Sequence, residues 1–488
     1  MSVSERPLTT VIAIMAAVFL LASGTALQGT AVTLRGGIEG FSGQWIGLIG
    51  AGFYLGVLGG AFLAMPLIRG VGYVRTFAAF ASLASATTLA HLIVIQPVAW
   101  LIFRIIAGVC QSVVLVVVES WLNASAPSRS RGTVLSVYGI VYLAATGAIQ
   151  PLISVFPPSG FLLFGVTSIM ISLCLLPVTL AQVSGTPQIG SLQIRVIGIF
   201  RKSPMGASGV AVAGVLTGAH MTLGPRFGQM QGMAEGQIGL FLLSFSLGTM
   251  VLQIPLGWLS DRLDRRRALL VSSAGGAVAG LGLSLVSQPG LIASVMAFGF
   301  GGLAIPLYSL AIATVNDQVT GDEMVEAASA LYLFYGAGSV AGPLIASGLM
   351  ARFGPGALYF MTAVVLALYL AFGVLRIRLV PDFRIRGRSA TYRVVPRTTM
   401  MAFSMLRRRQ ARKAPEPAPF TAYDGFSTAP GEDSAMSSSG AGFTPELSEI
   451  QPDAGLTEAA AEPPAPPRRR RRRSASRSPG DDPPETRR

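Results

Sequence analysis

The chain has 488 residues, of which 51% are apolar and only 12% charged, with a formal net charge of +14. So little charge cannot clothe so much apolar surface, which excludes a soluble globule and points to a polytopic membrane protein. Cys110 and Cys174 both fall in apolar runs and read as small buried hydrophobes. With only His91 and His220 beside them no zinc or haem ligand set can be assembled, so no metal, no cofactor and no enzyme chemistry are expected.

A short polar start is followed by apolar runs near residues 11–34, 44–66, 73–95, 98–122, 132–154, 160–181, 205–225, 236–258, 268–287, 290–315, 325–350 and 356–377. Each is long enough for a helix to cross a hydrocarbon core ~30 Å thick. The first run carries small residues from Ala22 to Ala26, as a signal peptide would, but the eleven later runs argue for an uncleaved helix. Gly and Ala recur inside the runs and suit close helix packing.

Charge placement predicts the orientation, because Arg and Lys favour cytoplasmic loops. With the N-terminus inside, Arg69, Arg75, Arg129, Arg131, Arg195, Arg201, Lys202, Arg262 and Arg265 to Arg267 are all cytoplasmic. The opposite face keeps Arg35, Arg226 and Arg352.

The two halves repeat. Gln44 to Leu48 reads QWIGL and Gly236 to Leu240 reads GQIGL, each shortly after an arginine, Arg35 or Arg226. The same register pairs Gly56 with Gly248, Arg69 with Asp261, and Gln150-Pro151 with Gly342-Pro343. The predicted organisation is an N-terminal six-helix bundle (1–181), a cytoplasmic linker (182–204), a second bundle (205–377) and a basic tail (378–488).

Between two of the runs stands the densest charge before the tail, Gly257 to Arg267, GWLSDRLDRRR. A glycine ending a span, an aspartate four residues on and then arginines resembles the loop signature G-x-L-x-D-R-x-G-R-R of the major facilitator superfamily of secondary transporters. ESWLN from Glu119, together with PLIRGVGYVRTFAAFA from Pro66, is similar to its YcaD-like branch. The resemblance implies an all-α membrane protein of twelve transmembrane helices in two pseudo-symmetric six-helix bundles. The first-half copy of the loop departs from the pattern, with Arg69 where the family has Asp. The family's G-x-x-x-G-P string occurs at Gly338 to Pro343 and not on helix five, so a drug-antiporter reading has no support.

Ionisable groups at membrane depth are costly and read as functional. Arg104 and Glu119 lie in the fourth span. Arg104 with Gly108 resembles the family's fourth-helix arginine pattern, which implies a cavity-facing group coupling substrate to protons; a structural role on helix-one carbonyls is equally open. Glu119 reads as a proton acceptor, or as an ion-pair partner of Arg131 or of the 262–267 loop. Because helices one, four, seven and ten line the cavity in this family, the resemblance also raises Gln28, Gln111, His220 and Tyr308, although a lone histidine is more often a packed residue. Other polar side chains on the spans are Tyr138, Tyr142, Gln253, Tyr332 and Tyr335.

At the cytoplasmic ends, Arg69 is expected to face Asp322, Glu323 and Glu326 at the start of helix eleven. Asp261, with Arg262 beside it, is expected to face Arg129 and Arg131 at the start of helix five. These charges would form a cytoplasmic gate.

About half of the net positive charge sits in the tail, including six arginines from Arg468 to Arg473. A solvated tether is the plain reading there, with anionic lipid or RNA contact as the alternative. The expected function is a secondary active transporter, moving a small organic solute by alternating access with proton coupling. The rival is a membrane sensor or scaffold that signals through the tail. The expected partners are the solute, protons and the bilayer, and the expected state is a monomer. Arginine-rich, lysine-poor usage suggests a bacterial inner membrane with both termini cytoplasmic.

Overall fold

The computed structural model describes residues 6–125, 131–180, 196–262, 265–286, 290–319 and 323–379. Helices occupy almost all of it: α1 (Arg6–Ile38), α2 (Gly43–Val71), α3 (Tyr73–Ile93), α4 (Pro97–Ser125), α5 (Arg131–Ala148), α6 (Leu162–Leu173), α7 (Leu175–Leu180), α8 (Val196–Lys202), α9 (Pro204–Met230), α10 (Glu235–Arg262), α11 (Arg265–Leu285), α12 (Leu291–Ala304), α13 (Leu307–Asn316), α14 (Met324–Phe353) and α15 (Ala357–Leu379). A 3-10 turn, Gln150–Ser154, continues α5. Among the described residues twelve stretches are long and apolar enough to cross a membrane; α6 with α7 makes the sixth, and α12 with α13 the tenth. The short α8 lies in the stretch read as a linker, while all but the first residues of the tail lie outside the described residues.

Several helices outrun the apolar windows that announce them. α1 continues past Arg35 to Ile38, α2 past Arg69 to Val71, and α10 through Asp261 to Arg262. The window ends where the hydrocarbon does, but backbone hydrogen bonding carries the helix into the interface, where long charged side chains reach water.

The repeat extends to turn geometry. Gly40 (φ 77°) and Gly232 (φ 72°) follow the first span of each half at matching register positions. Both adopt the left-handed conformation that glycine enters without steric cost. In the first half, Ser42 then caps α2 by accepting from the Trp45 N–H at 3.3 Å.

Helices in lipid gain little from apolar burial against each other, so close backbone approach has to supply the packing. Gly56 on α2 sits against the backbone of Ile105 and Val109 on α4, and its repeat partner Gly248 on α10 sits against the backbone of Phe298 on α12. Contacts between the halves also come in a matched pair. A Cβ at Gly47 would stand 2.8 Å from the Pro343 carbonyl oxygen, and one at Gly239 would stand 2.9 Å from Pro151 Cα. Each half therefore offers a glycine to the other half's proline, as a pseudo-twofold axis requires.

Near the end where α1 begins, the halves are secured differently. In the first, the Tyr73 ring stacks on Trp121 with centroids 5.9 Å apart and planes at 12°. In the second, Arg265 Nε, at the repeat position of Tyr73, lies 3.0 Å from Asp317 Oδ2, and both side chains are more than nine-tenths buried. The lipid-facing surface carries exposed apolar side chains such as Leu55, Val278 and Leu368.

Candidate functional site

A central cavity lies between the halves, with about 1330 Å³ of empty space, part of it open to solvent. The first half lines it with residues of α1, α2, α4 and α5, among them Thr30, Tyr54, Arg104 and Gln111. The second half contributes residues of α9, α10 and α14, among them His220, Phe245 and Tyr335.

Arg104 holds the centre of the first-half wall. It is 7% exposed, donates from Nη1 to Gln28 Oε1 at 3.2 Å, and lies over the Phe53 ring at 4.3 Å. Gln28 in turn donates from Nε2 to Thr88 Oγ1 at 2.7 Å. Gln28 is thus behind the wall as a positioning residue for the guanidinium and is not itself a lining group. Gln111, two turns beyond Arg104 on α4, does line the cavity, and its Oε1 is buried with no hydrogen-bond partner among the described residues.

His220 stands at the register position of Gln28 on the other wall. Its ring stacks on Phe245, centroids 3.5 Å apart, and its Nδ1 is 2.8 Å from the Tyr359 hydroxyl. Tyr308 is placed behind the wall, with its ring against Tyr335 at 4.9 Å, because it is Tyr335 of α14 that faces the cavity. Glu119 lies further along α4. It is 7% exposed, faces the Tyr138 hydroxyl, and is close enough to act electrostatically on Tyr332 of the other half. The Tyr332 hydroxyl itself crosses between the halves to the Val57 carbonyl at 2.8 Å.

One end of the cavity is sealed, the end where α1 finishes. Thr33 Oγ1 donates to the Thr222 carbonyl at 3.0 Å and Gln229 Nε2 to the Leu34 carbonyl at 3.1 Å, while Arg226 holds the Gln229 side-chain oxygen. These seals across the halves are neutral hydrogen bonds to backbone, each with a net value of ~1 kcal/mol. Gln229→Ala is expected to raise the population open at this end by a factor of about five. Spin labels at the exposed positions Ile38 and Met230 would report it as a new, longer distance component; an unchanged distribution would remove Gln229 from the seal.

The expected gate charges lie towards the opposite end of the helices. Glu323 pairs with Lys202 of α8, and Asp261 lies 3.9 Å from Arg265. Arg262 lays its guanidinium over Trp258 at 3.7 Å. Arg129, Asp322 and the Arg131 side chain lie outside the described residues. Asp317 was not among the residues singled out from sequence, yet it is the buried partner of Arg265; a carboxylate ending a span beside an arginine loop was the available signal. Phe53, Thr88 and Tyr359 gave no such signal, being ordinary residues of apolar helices. No group of three or more His, Cys, Asp or Glu suited to a metal ion occurs among the described residues.

The sequence model described as Major Facilitator Superfamily matches residues 207–428. An uncharacterized MFS-type transporter of Enterobacter sp. (strain 638) is 28% identical over 373 residues, covering 76% of this chain and 96% of that protein. The uncharacterized MFS-type transporter YcaD of Salmonella typhi is 28% identical over 375 residues, with the same coverage. Among solved structures, the nucleoside transporter NupG aligns with a TM-score of 0.63 at 11% identity, over 77% of this chain and 99% of that one. A bacterial homologue of the human lysosomal transporter Spinster, in an inward-facing and unoccupied conformation, aligns with a TM-score of 0.60 at 17% identity, over 80% and 100%. With the family match over the second half, relatives that run through both halves, and two six-helix bundles meeting across a central cavity, this chain has the fold of the major facilitator superfamily and is similar to its YcaD-like members.

Proposed function

We propose that the protein is a secondary active transporter that moves a small organic solute across a bacterial inner membrane by alternating access, with proton coupling through Glu119. The observation that carries this reading is one cavity between two related bundles, closed at the end where α1 finishes by hydrogen bonds between the halves. Such a state is one half of a rocking cycle about a fixed site. Arg104, Gln111 and His220 hold the site from the two walls, and Gln28 and Tyr308 support it from behind. The end rich in Arg69, Arg262, Arg265 and Glu326 is cytoplasmic, by the excess of basic residues there. Arg69 and Asp261, with the acids and arginines opposite them, close that end when the other opens.

Glu119 supports coupling because it is a carboxylate inside the fourth span, within electrostatic reach of Tyr332 from the opposite half. Its protonation would change the contacts between halves as the bundles rock. In proteoliposomes with a panel of labelled small organic solutes, Glu119→Gln is expected to reduce pH-gradient-driven uptake to background while solute exchange continues. A truncation ending near Arg378 should keep both activities, which a sensor signalling through the tail would not require. Gradient-driven uptake that survives Glu119→Gln would refute coupling at this residue.

A further inference from the structure

The cavity is electrically one-sided. Its first-half wall carries Arg104 and Gln111, and its second-half wall presents Met221, Pro225, Leu242 and Phe245. The repeat accounts for the difference, since the register positions of Arg104, Gln111 and Glu119 in the second half are Met296, Leu303 and Ala311. No Asp or Glu is among the described residues that line the cavity, so Arg104 brings the one permanent charge among them. The tyrosines Tyr54, Tyr142, Tyr332 and Tyr335 add hydroxyls, and a protonated His220 would only add to the same sign.

A guanidinium has five N–H donors. Arg104 gives one to Gln28, and no carboxylate lies within 4.0 Å of it among the described residues. A cation at membrane depth is costly unless it is paired, and the rest of this one's donor edge borders the cavity. An independent sign lies on the same wall and opposite it. Gln111 Oε1 and Thr217 Oγ1 are buried polar atoms with no partner among the described residues, and both residues line the cavity.

We infer that the cavity is an anion site, which takes a small organic solute bearing a carboxylate or equivalent oxyanion and rejects cations. The oxyanion accepts two hydrogen bonds from the open edge of Arg104. A hydroxyl or N–H of the solute reaches Gln111, ~10 Å along α4, and its apolar body lies on Leu242, Phe245 and Met221. The inference gives a substrate class to the transport reading and rests on it only for the word substrate; the sign of the site is separately measurable.

Gly29 supplies the probe position. A Cβ built there meets only Arg104 Nη2, at 3.8 Å, so Gly29→Cys fits and puts a thiol beside the guanidinium. In the full chain, with Cys110 and Cys174 replaced by Ala, the rates of modification by anionic sulfonatoethyl and cationic trimethylammonioethyl methanethiosulfonate are compared in nanodiscs. The anionic-to-cationic ratio should exceed that of a cysteine on an outer loop by at least about tenfold. Arg104→Gln should collapse the excess and Arg104→Lys should retain it, which separates lost charge from lost fold. A ratio at or below the loop value, or an excess that survives Arg104→Gln, overturns the anion site. An anion preference without flux of any solute would instead count against transport, leaving the site's sign intact.

Discussion

Gly60→Leu is expected to abolish the monodisperse folded protein, whereas Gly59→Leu should leave it unchanged. The two residues are neighbours on α2, and intrinsic propensity cannot distinguish them. A Cβ at Gly60 would stand 2.6 Å from the Val109 carbonyl oxygen and 2.9 Å from Val109 Cα, both backbone atoms of α4, while one at Gly59 meets nothing within 4 Å. Overpacking normally costs ~1–3 kcal/mol where side chains can shift. Here the obstacle is a helix backbone, so the whole of α2 must move away from α4 and lose the van der Waals contact that joins them; the cost should reach or exceed the top of that range. Size-exclusion profiles and thermal melts in detergent would check it. Equal behaviour of the two variants would mean that the α2–α4 contact is not as close as described.

The second large effect is expected at Asp317. Removing its carboxylate with Asp317→Ala leaves Arg265 buried and without its partner at 3.0 Å. Stripping one member from a buried pair costs ~3–5 kcal/mol, while replacing both by apolar residues is often near neutral. Asp317→Ala should therefore lower the melting temperature strongly, and the double variant with Arg265→Met should recover most of the loss. A recovery that fails to occur would mean that Asp317 acts through contacts other than Arg265. Asp261, 3.9 Å from the same arginine, stays in place in both variants and is too distant to substitute for Asp317.

The spans, the two-half organisation and the register were legible because they depend on apolar run length and on repeated strings. Gly56 with Gly248, and Gln150-Pro151 with Gly342-Pro343, were paired by sequence, and in the structure they occupy matching contacts. Helix rotation was not legible. These helices are apolar nearly all round, so hydropathy does not say which side faces a neighbour, and rotation is set by packing. That is why Gln28 could be counted as a lining residue when it lies behind Arg104, and why Tyr308 could be preferred to Tyr335. Partner identity was equally hidden: nothing in the spacing assigns Phe53 and Gln28 to Arg104, or Tyr359 to His220. The charges at the ends were legible in sign, but the contact of Lys202 on α8 with Glu323 was not among the pairings that the spacing suggested.

The unequal fastening of the halves bears on how they diverged. Positions 73 and 125 hold Tyr and Ser, while their counterparts 265 and 317 hold Arg and Asp. If both descend from one duplicated segment, the change from one kind to the other passed through a chain with a single charge at a site that is buried on the Arg265 side. Such an intermediate is less stable than either end, by the same reasoning that makes Asp317→Ala severe. Once each copy held its own solution, exchange between them became a two-step path across a fitness valley. Chimaeras that swap this region between halves should accordingly function only when both positions travel together, and drift in one copy cannot be repaired by copying a single residue from the other.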